Sequence, residues 1–200
     1  ENRLRIDYHA ETDRTTVINM TNHSYFNLDG VDTFPNTTQI HDHILQIDAD
    51  KYTPVDDSLI PLGGHVSVED TPFDFRKAKR IGQDIKQPHE QLIIGNGYDH
   101  NFILNTKGDL SRPCALLKSQ QSGISMEVYT TAPGMQLYTG NFLNGIKGKN
   151  QIVYPMRGAV CLETQQYPDS PNHHWPESSG YLHPDKPYNS TTIFKFKRHD

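Results

Sequence analysis

The chain has 200 residues, enough for one domain with a sizeable core. Its formal net charge of -5 argues against a nucleic-acid partner, and no apolar run approaches the ~20 residues of a membrane-spanning helix. A hydrophobic fraction of 34%, with aromatics at 10% of the chain, and 14 Gly with 13 Pro describe a turn-rich globular protein and not a disordered one. Two cysteines, Cys114 and Cys161, make no disulfide framework, so reduced thiols and a cytoplasmic setting are expected.

Strand patterns dominate in chain order. "NRLRIDYHA" alternates around Leu4, Ile6 and Tyr8, so the chain opens inside a strand. Further strands are expected at 15–20, 44–49, 65–70, 101–105, 114–119, 123–131, 135–142, 158–165 and 191–198. Turn clusters separate them at Asp29-Gly30, Pro61 to Gly64, Gly95-Asn96-Gly97, Lys107 to Asp109 and Gly145 to Gly148. Only residues 77–87, "KAKRIGQDIKQ", suggest a helix, and Gly82 shortens it. The basic run Phe75 to Arg80 reads as a solvated helix end. With no alternation of strands and helices, the fold class is all-β, a sandwich or barrel filling one domain over 1–200. Residues 165–188 form a Pro-rich stretch with three His and one Trp, too long for a simple turn, and long loops in compact domains are often functional.

Ionisable residues concentrate at His23, the pair Asp99-His100, Glu163, and His173-His174. Each also has a plain structural reading. His23 could be a hydrogen-bonded residue among the aromatics of "TNHSYFNLDG", and Asp99 could cap the turn that "GNGY" makes. In "VCLETQ" alternation puts Val160 and Leu162 on one face and Cys161 and Glu163 on the other, so Glu163 meets either solvent or a pocket. A His and a Glu across a cleft can do general acid–base work near neutral pH. "HDH" sets His41 and His43 on one face of an expected strand, but there is no C-x-x-C and no H-E-x-x-H, and no metal is expected. The sequons at Asn22, Asn36 and Asn189 are unremarkable in an Asn- and Thr-rich chain. No G-x-S-x-G nucleophile motif and no phosphate-cradling glycine loop is present.

Taken in order, "TNHSYFNLDG", "NGYDHNFIL", "TTAPGMQLYTGNFL" and "VCLETQQYPDSPNH" resemble the aldose 1-epimerase (galactose mutarotase) family over nearly the whole chain. The resemblance implies a large antiparallel β-sandwich and a cofactor-free, metal-free interconversion of the α and β anomers of a free hexose such as galactose or glucose. By the family pattern Glu163 is the base and His23 the acid. Ser24 and Tyr25 lie beside the sugar, Asp99 accepts from its hydroxyls, and Gln136 binds its hydroxyl edge. The alternatives are a hexose-6-phosphate 1-epimerase, which would need a basic group at C6, and a non-catalytic sugar-binding or sensor domain. The partner is a small-molecule sugar, with no nucleic acid and no membrane.

One departure stands out. The family's Asn-Arg and His-Gly motifs, which also contact the sugar, have no match in residues 1–20, where Arg3, Arg5 and His9 sit in the wrong context. The expectation is that 1–200 is the later part of the domain, completed by an upstream segment or chain and inactive alone.

Overall fold

The computed structural model describes residues 2–31, 39–148 and 151–199, so the sequon at Asn36 lies outside the described residues. Two antiparallel sheets face one another. The larger runs in the order β1 (Arg3–Ala10), β15 (Tyr188–Arg198), β9 (Ile124–Thr130), β8 (Ala115–Lys118), β3 (Ile44–Ile47) and β6 (Lys79–Arg80). The smaller runs β13 (Cys161–Gln165), β10 (Gly134–Tyr138), β7 (Asp99–Leu104), β4 (Ala49–Tyr52) and β5 (Val66–Ser67). Two small pairs complete the strands, β11 (Ile146–Lys147) with β12 (Val153–Tyr154), and β14 (Tyr181–Leu182) with β2 (Thr16–Val17).

Period-two alternation decides which residues meet between the sheets. Leu45 and Ile47, Leu117, Met126 and Val128, and Phe194 come from the larger sheet. Phe102 and Leu104, Met135 and Leu137, and Leu162 come from the smaller one, and all belong to a single buried cluster. Each such side chain contributes roughly 1.5–3 kcal/mol by leaving water. The fold class is therefore the all-β antiparallel sandwich that the strand pattern implied.

The expected strand at 44–49 is in fact two. Asp48 is the crossing point between the sheets: its N–H donates to Cys114 O at 2.9 Å on one side, and its carbonyl accepts from Asn105 N at 2.9 Å on the other. The expected helix at 77–87 is absent. Lys79–Arg80 instead pair with Leu45 and Ile44 as β6, followed by a single 3-10 turn at Ile81–Gln83. Lys79 explains the override, because its ammonium donates to Pro72 O and Asp84 Oδ2, both at 2.7 Å, and sits over the Phe75 ring. A side chain at Gly82 would put its Cβ 2.7 Å from His41 Cβ, so the glycine permits close packing there. Among the described residues the α-helix is the short α1 (Glu90–Ile94), begun by the His89 side chain accepting from Gln91 N.

The 165–188 stretch is built and not loose. Ser178 Oγ accepts from Tyr167 N at 2.7 Å, and Ser170 Oγ donates to Tyr167 O at 2.6 Å. Tyr167 and Trp175, both within this stretch, are buried.

Candidate active site

The site lies on the outward face of β7, β10 and β13, opposite the core. Register places Asn101, Gln136 and Glu163 in one row across the three strands, and Asp99, Tyr138 and Cys161 in the next. The same alternation that buries Leu162 and Leu137 in the core turns Glu163 and Gln136 to this face.

The N-terminal stretch forms the remaining wall. Residues 19–27 run along the outer edge of β13. Phe26 and Val160 exchange both backbone hydrogen bonds at 2.8 Å, and Thr21 Oγ1 donates to Thr164 O. Asn19 and Gln166 pair through Nδ2 to O and N to Oδ1, and Asn27 Nδ2 donates to Gly158 O. These bonds account for the density of polar residues there: an irregular segment on a sheet edge satisfies its backbone with side chains. The result is that His23 Nε2 stands 3.2 Å from Glu163 Oε1. His23 stacks on Tyr25 at 5.0 Å between centroids, with the Tyr138 ring edge-on to both.

Together His23, Tyr25, Asp99, Gln136, Tyr138 and Glu163 line a cleft of about 410 Å³, with Gln165 and Pro168 at its margin. Ser24, expected beside His23, is not among the lining residues; its N–H donates to Asn22 Oδ1. Tyr138 was not singled out from the sequence, although it lies two residues from Gln136 and so shares its face.

The electrostatics follow from burial. The Glu163 carboxyl is pushed up to about 7, first by loss of solvent and second by the nearby Asp99 charge. Burial raises Asp99 as well, opposed by the hydrogen bond from Gln136 Nε2 to Asp99 Oδ1 at 2.8 Å and by His23. Burial holds the Cys161 thiol protonated well above neutrality, which rules it out as a ready nucleophile. Gln136 Oε1 is buried and accepts no hydrogen bond from the described residues, so the cleft offers an acceptor to a donor-rich ligand.

Behind Asp99, His100 is buried and held neutral, lowered to about 3 by desolvation. Its Nδ1 accepts from Asp99 N at 3.1 Å, which leaves Nε2–H to donate to Gln91 Oε1 at 3.1 Å. The preceding turn is tied by Asn141, whose Nδ2 donates to Gly95 O and Tyr98 O, both at 2.9 Å. Gly97, at φ 129°, has no room for a side chain: a Cβ would lie 2.3 Å from Asn141 Oδ1.

A family model described as Aldose 1-epimerase matches residues 1–195. The chain belongs to the aldose 1-epimerase family. It is 47% identical to the galactose mutarotase of Mus musculus over 195 residues, covering 96% of this chain and 54% of that one. It is 42% identical to the aldose 1-epimerase of Escherichia coli K12, over 98% of this chain and 55% of the other. The crystal structure of an aldose epimerase homologue from C. elegans superposes with a TM-score of 0.85 at 31% identity, covering 100% of this chain and 57% of that chain. The chain thus spans about half the length of the curated relatives it matches. This membership agrees with the resemblance carried by the four motifs.

The other histidines group differently. His41 and His43 are not on a strand: a 3-10 turn, Ile40–Asp42, precedes His43, whose Nε2 accepts from Leu28 N at 2.9 Å in the interior. His173 is not a free loop residue. It stacks on Trp175 at 4.3 Å and its Nε2 lies 3.0 Å from Asp169 Oδ2, whereas His174 is exposed. Among the described residues, one set of three possible metal ligands is close together: His23, Cys161 and Glu163. No helix among the described residues is long and apolar enough to cross a membrane.

Proposed function

We propose that the protein is an aldose 1-epimerase that interconverts the α and β anomers of a free hexose such as galactose or glucose by general acid–base catalysis. The observation that carries this reading is the contact of 3.2 Å between His23 Nε2 and Glu163 Oε1, with Asp99 and Gln136 beside them in one cleft. The anomeric hydroxyl oxygen and the ring oxygen are both bonded to C1, so an acid and a base serving them must be neighbours. Glu163 takes the proton of the anomeric hydroxyl as His23 gives a proton to the ring oxygen. The C1–ring oxygen bond breaks, and the open-chain aldehyde forms. After rotation about C1–C2 the steps reverse on the other face of the carbonyl, and each residue regains its starting proton state. A base poised at about 7 is matched to proton transfer near neutral pH.

Asp99 accepts from sugar hydroxyls. Gln136 donates one Nε2 hydrogen to Asp99 Oδ1 and keeps Oε1 for the ligand, a buried acceptor suited to a hydroxyl donor. Tyr25 suits the apolar C–H face of a sugar. Ser24 keeps its assignment beside the sugar through its place between His23 and Tyr25. No Arg or Lys is among the described residues lining the cleft, which favours a free sugar over a hexose 6-phosphate. Retention of both His23 and Glu163 favours an enzyme over a non-catalytic sensor. The cytoplasm is the setting we assign, in keeping with the free thiols of Cys114 and Cys161.

The test is polarimetry of freshly dissolved α-D-galactose. It is run on residues 1–200 and on this chain joined behind the N-terminal portion of the mouse relative. Acceleration in either, lost on Glu163→Gln, supports the reading; acceleration in neither removes it.

A further inference from the structure

His23, Cys161 and Glu163 each offer one ligand atom to a common point, and the three atoms lie within 4.8 Å of one another. Cys161 and Glu163 are two apart on β13, so both leave the same face of the sheet, while His23 arrives from the segment that runs along the outer edge of β13. Two nitrogen or oxygen ligands about 2.0 Å from a tetrahedral ion stand roughly 3.3 Å apart. The His23–Glu163 separation of 3.2 Å already meets that. A sulfur at about 2.3 Å stands roughly 3.5 Å from the other ligands, so Cys161 has little more than an ångström to travel. The donor set is a thiolate, an imidazole and a carboxylate. That mixture suits borderline-soft first-row dications and does not suit magnesium or calcium, which take oxygen ligands. Three protein ligands would leave a fourth position open toward the cleft.

We propose that this cluster binds a divalent cation of the zinc class and that the bound ion blocks the site. On binding, the Cys161 thiol proton passes to solvent as the metal–sulfur bond forms, and the lone pairs of His23 Nε2 and Glu163 Oε1 go to the metal. Neither residue can then exchange a proton with a substrate. The blocking consequence rests on the epimerase reading above; the binding does not.

The binding test needs no sugar. The 200-residue chain, freed of metal with a chelator, is titrated with Co²⁺ and followed through the near-ultraviolet cobalt–thiolate band. The expected result is a band that saturates at one ion per chain, survives Cys114→Ser, vanishes in Cys161→Ser, and is displaced by Zn²⁺. Because Cys161 is fully buried and its variant could fail to fold, His23→Ala is measured beside it, since the His23 side chain is 49% exposed. That variant is expected to weaken Co²⁺ binding at least about tenfold, the lower end of what losing even an outer-shell partner costs. No band in the folded chain, a band that persists in Cys161→Ser, or unchanged affinity in His23→Ala overturns the proposal. Blocking is read separately: Zn²⁺ stops mutarotation and a chelator restores it. Co²⁺ binding by the chain, with no mutarotase activity in either the chain or its fusion behind the mouse N-terminal portion, sinks the epimerase reading and leaves the metal site standing.

Discussion

Gln136 and Glu163 face each other across β10 and β13, directly in register, and the Gln136 amide donates to Asp99 on the far strand at 2.8 Å. One glutamine therefore stands between a buried and a half-buried carboxyl whose like charges repel. Glu163 carries the consequence, with its carboxyl at about 7.

Removing the second charge should relax the first. Asp99→Asn takes away the negative neighbour that adds to burial in raising Glu163. Glu163 is expected to titrate at lower pH, still above the ordinary carboxylate range because burial, the larger cause, remains. Carbon-13 NMR of the Glu163 carboxyl against pH checks this. In an active protein the acid limb of kcat/KM moves down with it, and a limb that stays in place would show that another group sets it.

The raised carboxyl also fixes how stability depends on pH. In the unfolded chain Glu163 titrates near 4.5, and in the folded one near 7. Between those values the folded state holds a proton that the unfolded state has lost, so this residue lowers stability as pH rises through the window. The loss is complete above about pH 7 and is at most about 3 kcal/mol. Glu163→Gln removes it. Urea denaturation is expected to show the variant gaining on the wild type between pH 5 and pH 8, with an equal difference at both pH values as the contrary result.

Asn141 holds the turn that aims Asp99. It gives two hydrogen bonds to Gly95 O and Tyr98 O and accepts a third from Thr139 Oγ1 at 2.7 Å, all within the interior. Asn141→Ala takes the Asn141 donor from the Gly95 carbonyl, while Tyr98 O keeps Thr139 N at 3.1 Å, and is expected to cost about 2 kcal/mol. Thermal denaturation reads the cost, and a loss below about 1 kcal/mol, the net worth of one ordinary hydrogen bond, would mean that the turn holds itself.

Gly134 is required by space and not by backbone angle. A Cβ there would lie 2.5 Å from Asn101 Oδ1 and 2.7 Å from the Tyr167 ring. Gly134→Ala is expected to destabilise by about 2 kcal/mol through overpacking. It should also displace Asn101 from the site face, visible as a shifted Asn101 side-chain amide resonance.

Much of this arrangement was legible in the residues. Alternation alone assigned Glu163 and Cys161 to one face and Leu162 to the other, because a strand has only two faces. Which of those faces met a pocket was not local information: it depended on residues 19–27 lying along β13, which are joined to it only in three dimensions. The expected helix at 77–87 failed for a similar reason, since Lys79 is drawn to Pro72 and Asp84 and Arg80 to strand β3. The crossing at Asp48 was hidden because the apolar alternation continues through it. His43 and His173 each found partners from distant parts of the fold or across a bend, which a linear pattern does not report.

The central claim is that Glu163 and His23 exchange protons with the two oxygens on C1 of a free sugar. Polarimetry of α-D-galactose, with the wild type and Glu163→Gln compared in the same frame, tests it most directly. The account predicts relaxation faster than the spontaneous rate in the wild type. It also predicts that the enzymic rate falls at least about 100-fold in the variant, as expected for loss of a general base. Equal enzymic rates in the two proteins would contradict it.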